Sequence, residues 1–438
     1  MEWVQLLSSK RFRDDSPHPA EDGRSEFQKD YDRIVFSRAF RRLQGKTQVH
    51  PLPDNDHVHT RLTHSLEVAS VGRSLGARAG LKLGQEGKLP ENVTAQDLGS
   101  ILQAACLAHD IGNPPFGHAG EFAIRGWFQQ NPEYLKGLSD ELERLDLHHF
   151  EGNAQGLRVL TQLEGHLFKG GLRPTFATLG TFVKYPWSSG HAALIHKEKF
   201  GFFQTEITCM EEIAAELGLI KTGEACWARH PLVFLVEAAD DICYAIVDLE
   251  DALEVGILGF HEVESILCEG LSDVETTQYA AISPEDTPRR LGYLRGKVVD
   301  YLVRQAIDEF FKNESTIMAG KFDDDLLSHC EDKAKNIVTS AKRLAYDKVF
   351  QEPRKTEIEI GAYSVIDILL TALCSACMEH REARPSFKSE RVFSLLGVNA
   401  PRNDDSLYMA LIRMTDFVSG STDKFAVRLS RRLSGFEF

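Results

Sequence analysis

The chain has 438 residues, 42% hydrophobic and 26% charged, which is enough apolar material for a sizeable core and excludes wholesale disorder. Its 50 Lys and Arg against 65 Asp and Glu leave a net charge of −15, which excludes a generally basic protein that coats nucleic acid. The opening MEWVQLLSSKRFRDD has no signal-peptide pattern, and no apolar run of bilayer-spanning length is free of charge, so neither a transmembrane helix nor a membrane partner is expected.

In chain order, residues 8–24 are rich in Pro and charge and read as a loop. The basic run Arg33, Arg38, Arg41, Arg42 and Lys46 follows, open to pairing with acidic neighbours, phosphates or single-stranded nucleic acid. Segments 46–51 and 57–61 flank Leu-Pro-Asp-Asn-Asp and predict a short β-hairpin. Ile101, Leu102, Ala105 and Cys106 share one helical face behind the capping sequence Thr94-Ala-Gln-Asp97. Residues 165–174 and 272–288 read as loops. Pro231 reads as the first-turn residue of a long helix through Leu253. A further amphipathic helix is predicted over 289–312, with Leu291, Leu294, Val298, Leu302 and Ile307 inward. Thr356 to Ile360 alternates polar and apolar and predicts a short extended piece. The eight cysteines are scattered, and only Cys374 and Cys377 are close. That CxxC lies on a helical pattern and reads as core packing, so a reducing, cytoplasmic compartment is expected. Arg428, Arg431 and Arg432 form a second basic cluster.

Three groups carry chemistry. An apolar helix ends in His109-Asp110, which places imidazole and carboxylate donors together at a mouth of the core. Asp240 and Asp241 sit in the apolar helix behind Pro231, where burial demands a positive partner such as a metal. After His109-Asp110 comes Ile-Gly-Asn-Pro-Pro-Phe-Gly-His-Ala-Gly-Glu, in which His118 and Glu121 are spaced i, i+3 where a new helix can start. A carboxylate beside an imidazole orients it for acid–base or nucleophilic work. The spacing leaves open whether His118 attacks phosphorus, activates water or protonates a leaving oxygen. Asp240, Tyr244 and Asp248 are spaced i, i+4, i+8 along one helix face.

These motifs resemble the HD-domain superfamily, and within it the bacterial dGTPase (deoxyguanosine triphosphate triphosphohydrolase)-like proteins. The resemblance rests on DYDRIVFSRAFRRLQGKTQV at 30–49, TRLTHSLEV at 60–68, AHDIGNPPFGHAGE at 108–121, FEGNAQGLRVL at 150–160, FVKYPW at 182–187 and the helix of Asp240. It implies an all-α HD-domain helical fold with short β-hairpin embellishments and a helical C-terminal region. The expected division is an N-terminal arm and helix over 1–58, an HD phosphohydrolase core over 59–253 and a C-terminal helical region over 254–438. It implies that His64, His109, Asp110 and Asp240 ligate one divalent metal, Mg or Mn foremost, with Ni, Fe, Co and Zn also compatible. His118 and Glu121 would be catalytic. Similarity to vertebrate SAM-and-HD-domain dNTPases places Gln48, Arg61, Tyr244 and Asp248 at the deoxyribose, and Lys184 matches a family lysine at the phosphates. The implied reaction converts a dNTP into deoxynucleoside and inorganic triphosphate. The implied partners are the dNTP, further copies in a hexamer or tetramer, and single-stranded DNA as an effector. Two other readings stand beside it: an HD nucleotidase acting on monophosphates, and a non-catalytic HD-fold nucleotide sensor or single-strand-binding scaffold.

Overall fold

Two helices form the centre of the protein, Arg61–Gln85 and Ala95–Ala108. Thr94 caps the second with its hydroxyl accepting from Asp97 N, as the capping sequence predicts. The two helices run antiparallel and approach very closely, because a Cβ on Gly76 would fall 2.4 Å from the Leu98 carbonyl oxygen. The long helix Val233–Glu254 packs across both of them. It starts two residues later than Pro231, which lies in the preceding turn. This computed structural model describes residues 1–14, 23–48, 58–165, 170–191 and 198–436.

Around this centre lies one large apolar core, to which Leu75, Leu102, Leu107, Leu235 and Ile242 contribute with almost no exposure. A second core gathers Phe128 and Phe150 with Leu369, Leu373, Leu411 and Met414. It joins the helix His118–Gln130 to the helices Pro353–Arg381 and Leu407–Ser419. Cys374 and Cys377 are buried in it side by side, as core packing predicts. The Lys355–Arg381 stretch is long and apolar enough to cross a membrane by length and composition, as core helices can be, and half of its most apolar window is buried inside the protein.

The fold is all-α, with one two-stranded antiparallel hairpin, Lys221–Gly223 against Cys226–Trp227, among the described residues. Three local expectations are corrected. The hairpin expected over 46–61 falls partly outside the described residues; what is described is a single antiparallel bridge, Thr47 to Thr60. Arg61 belongs to a helix, because the Thr60 hydroxyl accepts from Thr63 N and caps it there. The loop expected over 272–288 contains the helix Asp273–Ala280, which Ser272 caps with its hydroxyl accepting from Glu275 N. Thr356 to Ile360 is helical: Glu352 caps that helix, Pro353 occupies its first turn, and Lys355 pairs with Glu359 one turn on. A five-residue alternation cannot outweigh those start signals. The basic run is largely scaffold, since Arg33 donates to the Leu172 and Arg173 carbonyls and Arg42 pairs with Glu164.

Candidate active site

The end of the Ala95–Ala108 helix, the first turn of Arg61–Gln85 and the second turn of Val233–Glu254 converge on one point. His109 is the residue that terminates its helix, and its Nδ1–H donates to the Cys106 carbonyl at 2.6 Å. That bond assigns the tautomer and leaves Nε2 free to donate a lone pair. The rings of His64 and His109 lie edge to face, 5.3 Å between centroids. His64 Nε2 is 3.1 Å from Asp240 Oδ1, and His109 Nε2 is 3.6 Å from the same oxygen. Donor atoms of His64, His109 and Asp240 all lie within 4.8 Å of one another.

Asp110 flanks this cluster with Oδ1 3.6 Å from His109 Nε2. Its other oxygen accepts from Arg61 Nη1 at 2.6 Å, and Asn113 Nδ2 donates to Oδ1 at 2.5 Å. Burial favours its neutral form, but the Arg61 guanidinium prevails and holds the carboxyl at about 2. Asp240 is likewise held well below the usual carboxylate range: burial opposes its charge, and the two imidazoles outweigh that. Two imidazole nitrogens and two ionised carboxylates form a donor set that fits a first-row divalent cation.

The same cavity, about 540 Å³, is also lined by His118 and Glu121. The turn before His118 takes an unusual path, with Phe116 at φ +65° and Gly117 at φ +56°. Glycine is favoured at 117 because φ +56° with ψ −128° is a backbone conformation that a Cβ strains, and a Cβ there would also displace Arg61 Nη2, 2.5 Å away. His118 opens its helix, largely exposed to the cavity, and its Nδ1–H donates to Glu121 Oε2 at 2.9 Å. Glu121 is buried and its Oε1 accepts from Gly152 N at 2.8 Å. Burial alone would raise its pKa; the His118 bond and the nearby Lys199 ammonium lower it to about 2. Lys199 Nζ stands 3.4 Å from Glu121 and 3.0 Å from Glu151.

Of the residues singled out for substrate, Gln48, Arg61, Lys184 and Tyr244 line the cavity. Arg61 spends one nitrogen on Asp110. Lys184 Nζ lies 3.3 Å from Glu237 Oε1 and keeps its proton more firmly than usual; burial opposes this, but Tyr185 and Glu237 prevail. Tyr244 stacks on Phe350 with centroids 6.2 Å apart. Asp248, one helical turn beyond Tyr244, lies off the lining. Gln48 Oε1 and Asp248 Oδ2 are buried with no hydrogen-bond partner among the described residues. Sequence reasoning missed Asn113, Glu151, Asn153, Lys199, Phe350, Lys355 and Glu359, which share the lining. The first three lie within motifs at 108–121 and 150–160 and were within reach. The others come from distant segments without a local pattern.

Residues 61–173, which carry His64, His109 and Asp110, match the HD domain family model, and this helical core is of the HD-domain class. The chain is 51% identical to a deoxyguanosinetriphosphate triphosphohydrolase-like protein of Pseudomonas aeruginosa strain LESB58, over 99% of each chain. It is 43% identical to a protein of the same name from a Synechocystis species, again over 99% of each. It is 32% identical to the deoxyguanosinetriphosphate triphosphohydrolase of Yersinia pseudotuberculosis, over 94% of each. The chain belongs to the deoxyguanosinetriphosphate triphosphohydrolase-like family.

Proposed function

We propose that the protein is a metal-dependent dNTP triphosphohydrolase, cleaving a dNTP at the α-phosphorus into deoxynucleoside and inorganic triphosphate. One observation carries the reading: the His64, His109 and Asp240 donors and the His118–Glu121 pair face a single cavity. The names of the relatives support the same class of reaction.

His64, His109, Asp110 and Asp240 would hold the cation, with Mg or Mn expected and Ni, Fe, Co or Zn compatible with the same donors. A bound divalent cation polarises a phosphoryl oxygen. In the reaction, oxygen from water bonds to the α-phosphorus, the water's proton passes to solvent, and the bond to the 5′-oxygen breaks. That oxygen leaves as the deoxynucleoside hydroxyl once it receives a proton. His118 supplies it from Nε2, while Glu121 holds the ring through Nδ1. Lys184 pairs with the triphosphate as a point charge. The unpartnered oxygen of Gln48, on the lining, offers the acceptor chemistry that a sugar 3′-hydroxyl needs, and Asp248, off the lining, acts on the sugar only through Tyr244. Tyr244 packs at the sugar and rejects ribose by collision with its 2′-hydroxyl, and Arg61 acts there with its remaining nitrogens. A cytoplasmic homo-oligomer, hexamer or tetramer, with single-stranded DNA as an effector completes the reading.

The test is product identification with each of the four dNTPs, alone and mixed, with Mg or Mn. Deoxynucleoside plus triphosphate is expected. Orthophosphate released from a deoxynucleoside monophosphate would favour the nucleotidase reading. Binding without any product, with metal present, would favour the sensor.

A further inference from the structure

The C-terminal helix Asp423–Leu433 begins inside the protein, more than three hundred residues from the histidines of the cavity. Its first residue, Asp423, is 1% exposed and does not line the cavity. Its carboxylate forks. Oδ2 accepts from Thr47 N at 2.9 Å and from Thr47 Oγ1 at 2.6 Å, and Oδ1 accepts from Phe116 N at 3.0 Å. One arm therefore grips the residue before Gln48, and the other grips the turn that launches His118.

We propose that Asp423 is a positioning residue that sets the His118–Glu121 pair and Gln48 in mutual register through Phe116 and Thr47. The inference rests on the functional reading above. Three features make the fork suited to this. A carboxylate at a helix N-terminus is favoured by the helix dipole and by the unpaired N–H groups there. Phe116 adopts a left-handed backbone conformation that a non-glycine side chain holds only when its surroundings impose it, and Asp423 supplies the hydrogen bond to its N–H. The other end of the same turn is held from the same side: Lys46 Nζ donates to the Asn113 carbonyl at 2.5 Å and to the Ser419 carbonyl at 2.6 Å. Asn113 in turn donates to Asp110. The C-terminal segment 419–423 thus fastens both ends of the 113–118 turn, Ser419 by way of Lys46 and Asp423 directly, and Asp423 alone of the two takes hold of the residue next to Gln48 and of the residue two before His118.

The experiment uses the full chain with Mn²⁺ and a dNTP that the wild type cleaves, alongside titration of the ¹³C-labelled His118 ring by NMR without nucleotide. Asp423→Asn keeps the shape but turns an amide NH₂ toward one of the donor arms. It is expected to lower kcat by about 10- to 100-fold and to move the His118 titration midpoint by about half a pH unit or more. Thr47→Val is expected to raise KM more than it lowers kcat, and Thr47→Ser to restore both. A His118 midpoint that stays in place in a folded Asp423→Asn protein overturns the proposal, whatever happens to turnover, because Asp423 then acts only through the fold. If Asp423→Asn does not fold, Thr47→Val decides: an unchanged KM overturns the proposal, and a raised KM with rescue by Ser sustains it. The titration needs no nucleotide, so it reads the fork even if the wild type cleaves no dNTP, which would sink the functional reading alone.

Discussion

Arg61 Nη1 donates to Asp110 Oδ2 at 2.6 Å, so a guanidinium that reaches the cavity is already bound to a carboxylate of the His/Asp cluster. Such an outer partner orients the ligand and keeps it ionised. Arg61→Ala should therefore weaken Mn²⁺ affinity by about 10- to 100-fold, as read by calorimetric titration. Lys at this position offers one point charge in place of the planar fork and should recover only part of that loss. Unchanged Mn²⁺ binding in Arg61→Ala would confine Arg61 to substrate.

His109→Ala and Asp110→Ala should each lose bound metal and dNTP turnover together. Metal content by mass spectrometry after dialysis, measured beside turnover, checks this. Full metal with full activity in either variant would remove these residues from the metal site.

His118→Ala should retain metal and lose most turnover, about 100- to 10,000-fold for a general acid. Glu121 adds a stability signature. Its folded pKa lies at about 2 against 4.5, so its contribution is complete above about pH 4.5 and is lost as the pH falls toward 2. Glu121→Gln should flatten the acid limb of thermal stability in that window, followed by circular dichroism. An acid limb as steep as that of the wild type would show that Glu121 is not held in this way.

His59 predicts a dependence at the alkaline end. Its Nδ1 lies 2.6 Å from Asp251 and its Nε2 3.2 Å from Glu67. Burial would lower its pKa, but the two carboxylates prevail and raise it to about 10. A raised folded pKa stabilises fully below the unfolded value of 6.5, and that stability fades as the pH climbs toward 10. The wild-type Tm should fall over that range, and His59→Gln should start lower and vary less. Parallel curves for the two proteins would contradict the pairing.

The local signals were legible where one segment decided the outcome. Thr94 and Asp97 cap their helix as their spacing requires, and the apolar face with Leu294, Val298 and Leu302 points inward. His109-Asp110 at a helix end and His118 with Glu121 one turn apart are visible in the chain itself, and the structure places all four on one cavity. Signals misled where a short pattern competed with stronger neighbours. The alternation at Thr356 to Ile360 lost to the Pro353 start, and the polar stretch after Ser272 still held enough helix formers and a cap to wind one helix.

Sequence alone determined the all-helical class and the placement of His109-Asp110 at a helix end and of Glu121 one turn after His118, because each is encoded in the spacing of neighbouring residues and recurs as a motif. Tertiary structure alone decided that Arg61 serves Asp110, that Lys199 bridges Glu121 and Glu151, and that Asp423 grips Thr47 and Phe116. Those links join charges from segments tens to hundreds of residues apart. Only packing the helices brings such groups within hydrogen-bond reach, and only burial then makes each charge demand the partner it finds.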